Sequence, residues 1–335
     1  MTDNKEALRE ITVAKKILNS PIRRYVISEE IKDSYQKEYK YVQLDLRLAR
    51  HANDSFGGIS DCYILYAIAK LGFADISSIQ KFLIALKKKS PSLNIMDTTD
   101  RGNIRARISS LFNNGFLFKS TYEIVDQVKG GVNKCNIYSI DHESQNFMCQ
   151  KLGKRVPPNK WIQAKPIEEI IAWAAASHVG TTMALNKNFV EFKEGIFRTG
   201  AIGTVMLTNE LKMENEYAEF HVMTMPAFLY FSKERCSKED YTENILYKIN
   251  VILNYISYKA KKEKNPRVVI VVEDVADMEK FKEYIVRTEV LLPYLDYIFF
   301  TGEEYMRMNP QYMFQLKKDG PDNYDYTITS PDFLE

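Results

Sequence analysis

The sequence contains few of the residues on which covalent cross-links and metal sites depend. Its 335 residues include four cysteines and four histidines, namely Cys62, Cys135, Cys149, Cys236, His51, His142, His178 and His221. The cysteines lie far apart without a CxxC pair, so neither a disulfide framework nor a zinc ribbon is predicted. The histidines show no HxxxH or HExxH spacing, which excludes the common zinc motifs. We therefore expect reduced thiols, no bound metal and no cofactor.

Long apolar runs and phosphate-binding loops are also missing. No run approaches the ~18–20 apolar residues that span a bilayer, and the charged amino terminus has no apolar signal core. No glycine-rich phosphate loop, serine nucleophile elbow or Cys/His pair appears. Hydrophobic residues nevertheless make up 45% of the chain and aromatic residues 12%, which excludes a disordered protein. We expect a soluble, cytoplasmic protein with no membrane partner.

The charge of the chain is unevenly distributed. Residues 1–160 carry 26 Lys and Arg against 17 Asp and Glu, a net charge of +9, whereas residues 161–335 carry 20 against 27, a net charge of −7. The imbalance is largest between Lys81 and Lys119, where eight basic residues face two acidic ones. A basic front half joined to an acidic back half indicates a polyanion partner on one domain only.

Turn and linker residues divide the chain into four segments. They are an amino-terminal extension at 1–58, a first domain at 59–150, a linker with two prolines at 151–163, and a second domain at 164–335. In the extension, polar residues alternate with Val42, Leu44, Leu46 and Leu48, which predicts a strand. The extension has no function that the sequence identifies.

The first domain shows three helical segments followed by two β-rich runs. Ser60 and Asp75 are predicted to cap the first two helices, and Gly72 suits the position past a helix end. The third helix lies within "TTDRGNIRARISSLFNN", and the β-rich runs flank Gly130 and Gly131 as in a hairpin. This order is typical of a winged helix-turn-helix, in which the third helix enters a DNA groove and the hairpin lies along the backbone.

The third helix has one apolar face and one face of small and polar residues. At 100° per residue, Ile104, Ile108, Leu111 and Phe112 share the inward arc. The opposite arc carries small residues between flanking arginines, which suit base edges and phosphates, while an asparagine can pair with adenine. The candidate DNA-binding residues are Arg101, Asn103, Arg105, Arg107, Lys87, Lys88, Lys119, Lys129 and Lys134.

Other interpretations of these residues remain open. Arg105 and Arg107 have the alternative of a solvated helix face. Lys87, Lys88 and Lys89 have the alternative of a solvated helix end, where cations are favourable. A winged helix can also serve for contact with another protein rather than with DNA. The lysines of the hairpin favour the DNA-binding interpretation, because they lie where such a fold places phosphate contacts.

The second domain is predicted to be α/β. A helix is followed by strands within 189–197, 203–213 and 218–226, then by a long helix whose isoleucines suit either the core or a dimer interface. This order resembles the core of restriction-endonuclease-like nucleases, whose acids hold Mg²⁺ beside a lysine. The second strand opens as "TGAIGTVML" without an acid, and the third has Glu219-Phe220-His221 in place of Glu-x-Lys. We therefore expect an inactive domain. Glu273 and Asp274 end an apolar strand, where α/β sheets often place site residues, but capping of the next helix explains Asp274 at least as well.

The two domains together resemble the replication-relaxation proteins of plasmids and conjugative elements in Gram-positive bacteria. The resemblance runs from Ser60 to about Gly302 and includes "DRGNIRARISSLFNNGFL" and "SHVGTTMALNKNFVEF". It implies a role in plasmid replication or transfer at a double-stranded DNA site. The sequence leaves open whether the chain forms a homodimer.

Three hypotheses for function follow. The first is a sequence-specific DNA-binding protein of a mobile element. The second is a nuclease or relaxase that uses Glu219 with carboxylates that the sequence does not identify. The third is a transcription regulator whose α/β domain senses a ligand.

Overall fold

The computed structural model of the chain contains both helices and strands, and it describes residues 2–19, 35–53, 58–95, 100–125, 131–154, 167–193, 196–199, 204–207, 209–227, 238–262, 264–321 and 323–335. The fold is of the mixed α+β class, which confirms the combination of helices and sheets that the sequence predicts.

The first half of the chain contains six helices and three strands in the described residues. They are α1 (Thr2–Leu18), β1 (Gln36–Tyr39), α2 (Leu44–Asn53), α3 (Ile59–Leu71), α4 (Ile76–Lys89), α5 (Arg101–Asn113), β2 (Leu117–Val125), β3 (Val132–Ile140) and α6 (His142–Leu152). Asp75 caps α4 as predicted, because its Oδ1 accepts from the backbone N–H of Ser78 at 2.7 Å. Helix α3 begins earlier than predicted, after Gly58, so Ser60 lies in the first turn and is not its cap.

The predicted strand at residues 41–48 is wrong, since the structure has α2 there. Leu44, Arg47, Leu48 and His51 are buried or half-buried, and these positions recur at the i, i+3, i+4 and i+7 spacing of a helix. Leu46, which the alternation placed on the apolar side, is exposed. The alternation misled because two of the inward side chains, an arginine and a histidine, are polar.

The three strands form one antiparallel sheet. Strands β2 and β3 pair from Leu117 with Ile140 to Val125 with Val132, as the predicted hairpin requires. Strand β1 pairs with the other edge of β2 and places Glu38 opposite Lys119. Residues 35–39 therefore extend the hairpin into a three-stranded sheet, a contribution of the amino-terminal segment that the sequence did not reveal.

The second half is built around a seven-stranded mixed sheet. Its elements are α7 (Ile167–Met183), β4 (Phe189–Lys193), β5 (Ile196–Thr199), β6 (Thr204–Leu207), β7 (Asn209–Glu214), β8 (Glu219–Pro226), α8 (Lys238–Ala260), β9 (Asn265–Val271), α9 (Val275–Thr288), a 3-10 helix (Leu292–Tyr297), β10 (Ile298–Thr301), α10 (Glu303–Met308), β11 (Met313–Lys318) and β12 (Tyr324–Thr329). The strand order is β12-β11-β10-β9-β8-β7-β4, with β8, β9 and β10 parallel. Strands β5 and β6 form a separate two-stranded sheet.

The prediction of one strand over 203–213 is corrected by the structure. That segment contains two strands, β6 and β7, and only β7 joins the seven-stranded sheet, where it pairs with β4 and β8. The strand next to β8 thus begins at Asn209 and carries Glu210. The expectation that this strand opens without an acid is therefore wrong, because the strand opens with Asn209 and Glu210, after the stretch 199–207 that was expected to open it.

Helix α7 joins the two halves through a continuous apolar core. One cluster of buried residues includes Ile68 of α3, Ile108 of α5, Trp173 of α7 and Val222 of β8. Gly72 lies in the left-handed region at φ 75°, and a Cβ there would lie 2.6 Å from Cζ2 of Trp173. A glycine is therefore required both by the turn and by the close approach of α7.

A second apolar cluster lies on the other side of the seven-stranded sheet. The four isoleucines of α8 predicted to share one side are all buried in it, so they belong to the core and not to a dimer interface: Ile245, Ile249, Ile252 and Ile256. Ala14 and Leu18 of α1 are buried in the same cluster. Among the described helices, none combines the length and the apolar content needed to cross a membrane.

Candidate functional site

Helix α5 turns its small and polar residues outward. Asp100 caps the helix by accepting from the backbone N–H of Gly102 at 2.7 Å. Within α5 the buried residues are the four that the sequence predicted, Ile104, Ile108, Leu111 and Phe112. The exposed residues are Arg101, Gly102, Asn103, Arg105, Ala106, Ser109 and Asn113. The helix therefore presents a low, open surface between its arginines.

Arg101 and Arg105 are the cations of α5 that remain available on this surface. Both are exposed, and neither forms an ion pair with any residue in the described part of the chain. Asn103 lies between them and is also exposed. An unpaired guanidinium on a helix surface is suited to a phosphate or to the acceptor edge of a guanine.

Arg107 has a different environment. Its Nε donates to Oδ1 of Asp61 at 2.9 Å, and its Nη2 contacts Oδ2 of the same carboxylate. Asp61 is fully buried in α3, and Nε2 of His51 lies 3.3 Å from its Oδ2. The side chain of Arg107 is only 13% exposed. This guanidinium is held inside the protein, so we do not include it in the interface proposed below.

A cleft of about 920 Å³ lies between α5 and the three-stranded sheet. One wall carries Arg101, Arg105 and Ser109, and the other carries Lys119 and Lys134 with polar residues of β3. The predicted cations of α5 and of the hairpin are therefore brought to the two sides of one depression. Lys129 at the hairpin tip lies outside the described residues.

The lysines of the hairpin are paired, unlike the exposed arginines of α5. Lys119 Nζ lies 2.7 Å from Oε1 of Glu38 and 4.8 Å from the ring centroid of Phe112. Lys134 Nζ lies 3.3 Å from Oε1 of Glu123. Each pair is partly exposed, so each lysine can exchange its carboxylate for a phosphate at small cost.

Lys40 is a cation of this cleft that the sequence interpretation missed. Its Nζ donates to Oδ1 of Asn113 at 2.6 Å and lies 5.3 Å from the ring centroid of Phe112. The sequence around Lys40 does not indicate this position, because the pairing of β1 with β2 brings Lys40 close to residues that are distant in the sequence. The other missed residue is Glu38, which adds a carboxylate to a largely basic cleft.

The lysines that end α4 lie outside this cleft. Lys87 is half-buried, and its Nζ donates to the carbonyl oxygen of Ile95 at 3.1 Å. Lys88 and Lys89 are exposed. The structure thus gives Lys87 a role in closing the loop after α4, while Lys88 keeps its charge in solvent.

A buried ion pair fixes β1 to the rest of the sheet. Arg47 of α2 is 1% exposed, and its Nη1 lies 2.7 Å from Oδ2 of Asp141, the residue that caps α6. Tyr39 of β1 donates from Oη to the same carboxylate oxygen at 2.8 Å and accepts from Nη2 of Arg47 at 2.6 Å. Burial, followed by the hydrogen bond to Asp141, raises the pKa of Tyr39 to about 12. The network holds β1, and therefore Lys40, beside the hairpin.

A polar cluster lies beneath the cleft, where α4 meets α7 and α10. Lys81 Nζ lies 2.9 Å from Nε2 of His178. Nδ1 of His178 lies 3.9 Å from Oδ1 of Asp75, and Glu303 Oε1 lies 3.6 Å from Nε2. Burial would raise the pKa of Asp75, but His178 and Ser78 together hold that pKa well below its usual range. The floor of the cleft therefore carries an ionised carboxylate.

A second polar cluster occupies one face of β7 and β8. His221 is 1% exposed, and its two ring nitrogens lie 2.8 Å from Oε1 of Glu210 and 2.9 Å from Oε1 of Glu219. Lys259 Nζ lies 2.7 Å from Glu210, and Lys212 Nζ lies 2.5 Å from Glu219. Hydrogen bonding, first from Lys212 and then from His221, lowers the pKa of Glu219 to about 2.

The acids of this second cluster are neutralised by lysines. In the described part of the chain, no group of three or more His, Cys, Asp and Glu side chains is arranged to hold a metal ion. Asp274 serves as the predicted cap of α9, because its Oδ1 accepts from the backbone N–H of Asp277 at 3.0 Å. The spacing of Glu210 and Lys212 was the sequence signal for this cluster, but the misplaced strand concealed it.

Comparison with protein-family models, with curated proteins and with solved structures finds no match to the chain.

Proposed function

We propose that the chain is a DNA-binding protein that contacts duplex DNA with α5 and with the three-stranded sheet beside it. The observation that carries the proposal is the exposed face of α5, where Arg101 and Arg105 flank small residues and have no ion pair among the described residues. Small side chains allow a helix to approach base edges closely, and unpaired arginines supply contacts to phosphate and to guanine.

The arrangement of α3, α4, α5 and the hairpin supports a winged helix as the form of this module. In a winged helix the third helix lies in the major groove and the hairpin follows the backbone. Asn103 is then directed at base edges, while Lys119, Lys134 and Lys40 lie toward the phosphates. Lys88 supplies a further contact at the end of α4. Arg107 and Lys87 take structural roles, because each is bonded within the protein.

We also propose that the second half is a restriction-endonuclease-like domain without nuclease activity. Its support is the succession α7, β4, β7, β8, α8 and β9, with β8 and β9 parallel. Glu210 and Glu219 lie on adjacent strands of this sheet, but lysines and His221 occupy their oxygens. A Mg²⁺ ion would have to displace these contacts to bind either carboxylate.

Together these features favour a protein of a plasmid or other mobile element that acts in replication, transfer or their regulation. This part of the proposal rests on the resemblance to the replication-relaxation proteins. A footprint on the DNA that flanks the coding region of the chain would test it. Protection from cleavage spread over this DNA without a preferred site would contradict this part of the proposal.

A salt titration tests the DNA-binding proposal. Contacts to several phosphates predict that affinity falls by ~10³-fold or more between low and moderate salt. The variant with both Arg101→Ala and Arg105→Ala should bind at least ~10-fold more weakly and show a smaller salt slope. Arg287→Ala, which removes an exposed arginine from α9, is the matched control and should bind as the wild type does. Equal affinity of all three proteins would overturn the proposal.

A further inference from the structure

The polar cluster on β7 and β8 has more cationic than anionic groups at its centre. Glu210 forms an ion pair with Lys259. Glu219 forms ion pairs with Lys212 and Lys264, and Nζ of Lys264 lies 3.2 Å from Oε1 of Glu219. His221 lies between the two carboxylates and is bonded to both. The two carboxylates are thus already matched by three lysines and a histidine.

Lys193 brings a fourth lysine to the same place. It is the last residue of the edge strand β4 and pairs in register with Glu210 of β7. Its side chain is half-buried, yet it forms no hydrogen bond and no ion pair with the residues that the structure describes. A half-buried ammonium without a partner is costly, because it loses water without gaining a counter-charge.

The electrostatic environment of Lys193 agrees with this description. Burial is the largest cause that lowers the pKa of Lys193, and the nearby charges of Lys264 and Lys259 lower it further. Glu210 and Glu191 act in the opposite direction. Glu191 and Glu214 are exposed, so solvent screens their charge more strongly than that of Glu210. The centre of the cluster therefore carries more positive than negative charge, four lysines against two carboxylates, with Glu191 and Glu214 exposed nearby.

We propose that Lys193, Lys259 and Lys264 form a binding site for a phosphate monoester on the second half of the chain. A monoester carries close to two negative charges at neutral pH, which matches the excess, whereas a phosphodiester carries one. Lys193 lies opposite Glu210 in the sheet, Lys259 contacts Glu210, and Lys264 contacts Glu219, so all three lysines belong to the cluster around His221. Each can donate to phosphate oxygens. Glu210, Glu219 and His221 hold two of these lysines in place.

The shared chemistry of the ligand is a terminal phosphate, which inorganic phosphate, a nucleotide or the 5′ end of a DNA strand can supply. The site is separate from the cleft beside α5 and does not depend on DNA binding there. It also requires no metal ion, because lysines supply the positive charge.

Thermal unfolding with inorganic phosphate tests the site. The titration is carried out at constant ionic strength against chloride, since phosphate also stabilises proteins through exclusion from their surface. The wild type should show a saturable rise in Tm on the order of 2 °C at tenfold excess over the dissociation constant. Lys193→Met should lose the saturable part, while Lys193→Arg should retain it.

Lys261→Met is the control for net charge, because Lys261 is exposed just beyond the end of α8. It should respond to phosphate as the wild type does. In chloride alone Lys193→Met should melt no lower than the wild type, because the removed ammonium has no partner in the described residues. Parallel responses of the wild type, Lys193→Met and Lys261→Met would overturn the proposal, as would a saturable rise in none of them.

A second arm identifies the source of the phosphate. Adenosine monophosphate is compared with adenosine, and a 5′-phosphorylated duplex is compared with the same duplex bearing 5′-hydroxyl ends. A preference for the phosphorylated member of either pair that Lys193→Met abolishes supports the site and names its ligand. Absence of a preference in both pairs would contradict binding of a monoester.

Discussion

Arg107 of α5 and Asp61 of α3 form a two-point ion pair at the centre of the first half, with Nε of the arginine 2.9 Å from Oδ1 of the carboxylate. The pair sets the rotation of α5 against α3. Because the side chain of Arg107 is turned inward, the side chains of Arg105 and Arg101 on the same helix are turned to solvent. One arginine of the helix therefore orients the surface that the others present.

Replacement of Arg107 should affect stability before it affects DNA binding. Arg107→Met leaves Asp61 buried without its cation, which costs about 3–5 kcal/mol of the free energy of unfolding. Urea denaturation measures this loss. Arg105→Ala is the comparison and should leave the unfolding midpoint within about 0.5 kcal/mol of the wild type. Equal stability of Arg107→Met and Arg105→Ala would show that the ion pair has no structural role.

Glu38 should weaken the proposed interface, because its carboxylate holds the Nζ of Lys119 in the cleft. In Glu38→Gln the ammonium of Lys119 is released, so affinity for duplex DNA should rise a few-fold at low salt. Fluorescence anisotropy with a labelled duplex measures the change. Glu289→Gln removes an exposed carboxylate after α9 and provides the control. A loss of affinity in Glu38→Gln would place Glu38 among the groups that favour DNA.

Asp277 should make the protein less stable as the pH rises through the range from about 4 to 6. Burial, with the neighbouring charge of Asp274, raises the pKa of Asp277 to about 6. The folded state therefore keeps a proton that the unfolded state has lost, and the free energy of unfolding falls by up to roughly 3 kcal/mol across this range. Burial lowers the pKa of Lys248 to about 7, so that group changes stability only above this range.

The test is urea denaturation at several pH values between 4 and 6.5. Asp277→Asn keeps an oxygen that can accept from the backbone N–H of Glu273, as Oδ2 of Asp277 does at 3.0 Å. Its stability should be flatter across the range than that of the wild type. The same slope in both proteins would contradict the assignment of this titration to Asp277.

Glu219 should have the opposite dependence. Hydrogen bonding, first from Lys212 and then from His221, lowers the pKa of Glu219 to about 2. The stability that Glu219 contributes is present above the ordinary glutamate pKa and is lost as the pH falls toward 2. Glu219→Gln should lose less stability than the wild type during acid unfolding followed by circular dichroism. If the wild type and Glu219→Gln unfold at the same pH, Glu219 does not contribute to acid unfolding.

Much of the fold of the first half was predictable because its helices show regular apolar spacing. The inward face of α5 agrees residue by residue with the spacing of Ile104, Ile108, Leu111 and Phe112. The cap at Asp75 and the turn at Gly72 were predictable from local chemistry. Helix α2 was missed because its buried positions include Arg47, whose charge is satisfied by Asp141, 94 residues away.

The candidate sites were less predictable than the elements that carry them. Arg105 and Arg107 look alike in the sequence, yet one is exposed and the other is bonded to Asp61. Only the packing of α5 on α3 distinguishes them. Glu210 was missed because the apolar residues Val205, Met206 and Leu207 led to a predicted strand start that lies before β7. Pairing between distant strands, which brings Lys40 into the cleft, leaves no local pattern.

The apolar cluster that runs from α3 through α7 to β8 has a consequence for how the chain loses its structure. Cleavage of the chain between residues 151 and 163, followed by separation of the two pieces, would expose the apolar residues that pack around α7. The separated pieces would then aggregate. The first half and the seven-stranded sheet should instead melt together, as a single endotherm in a calorimeter.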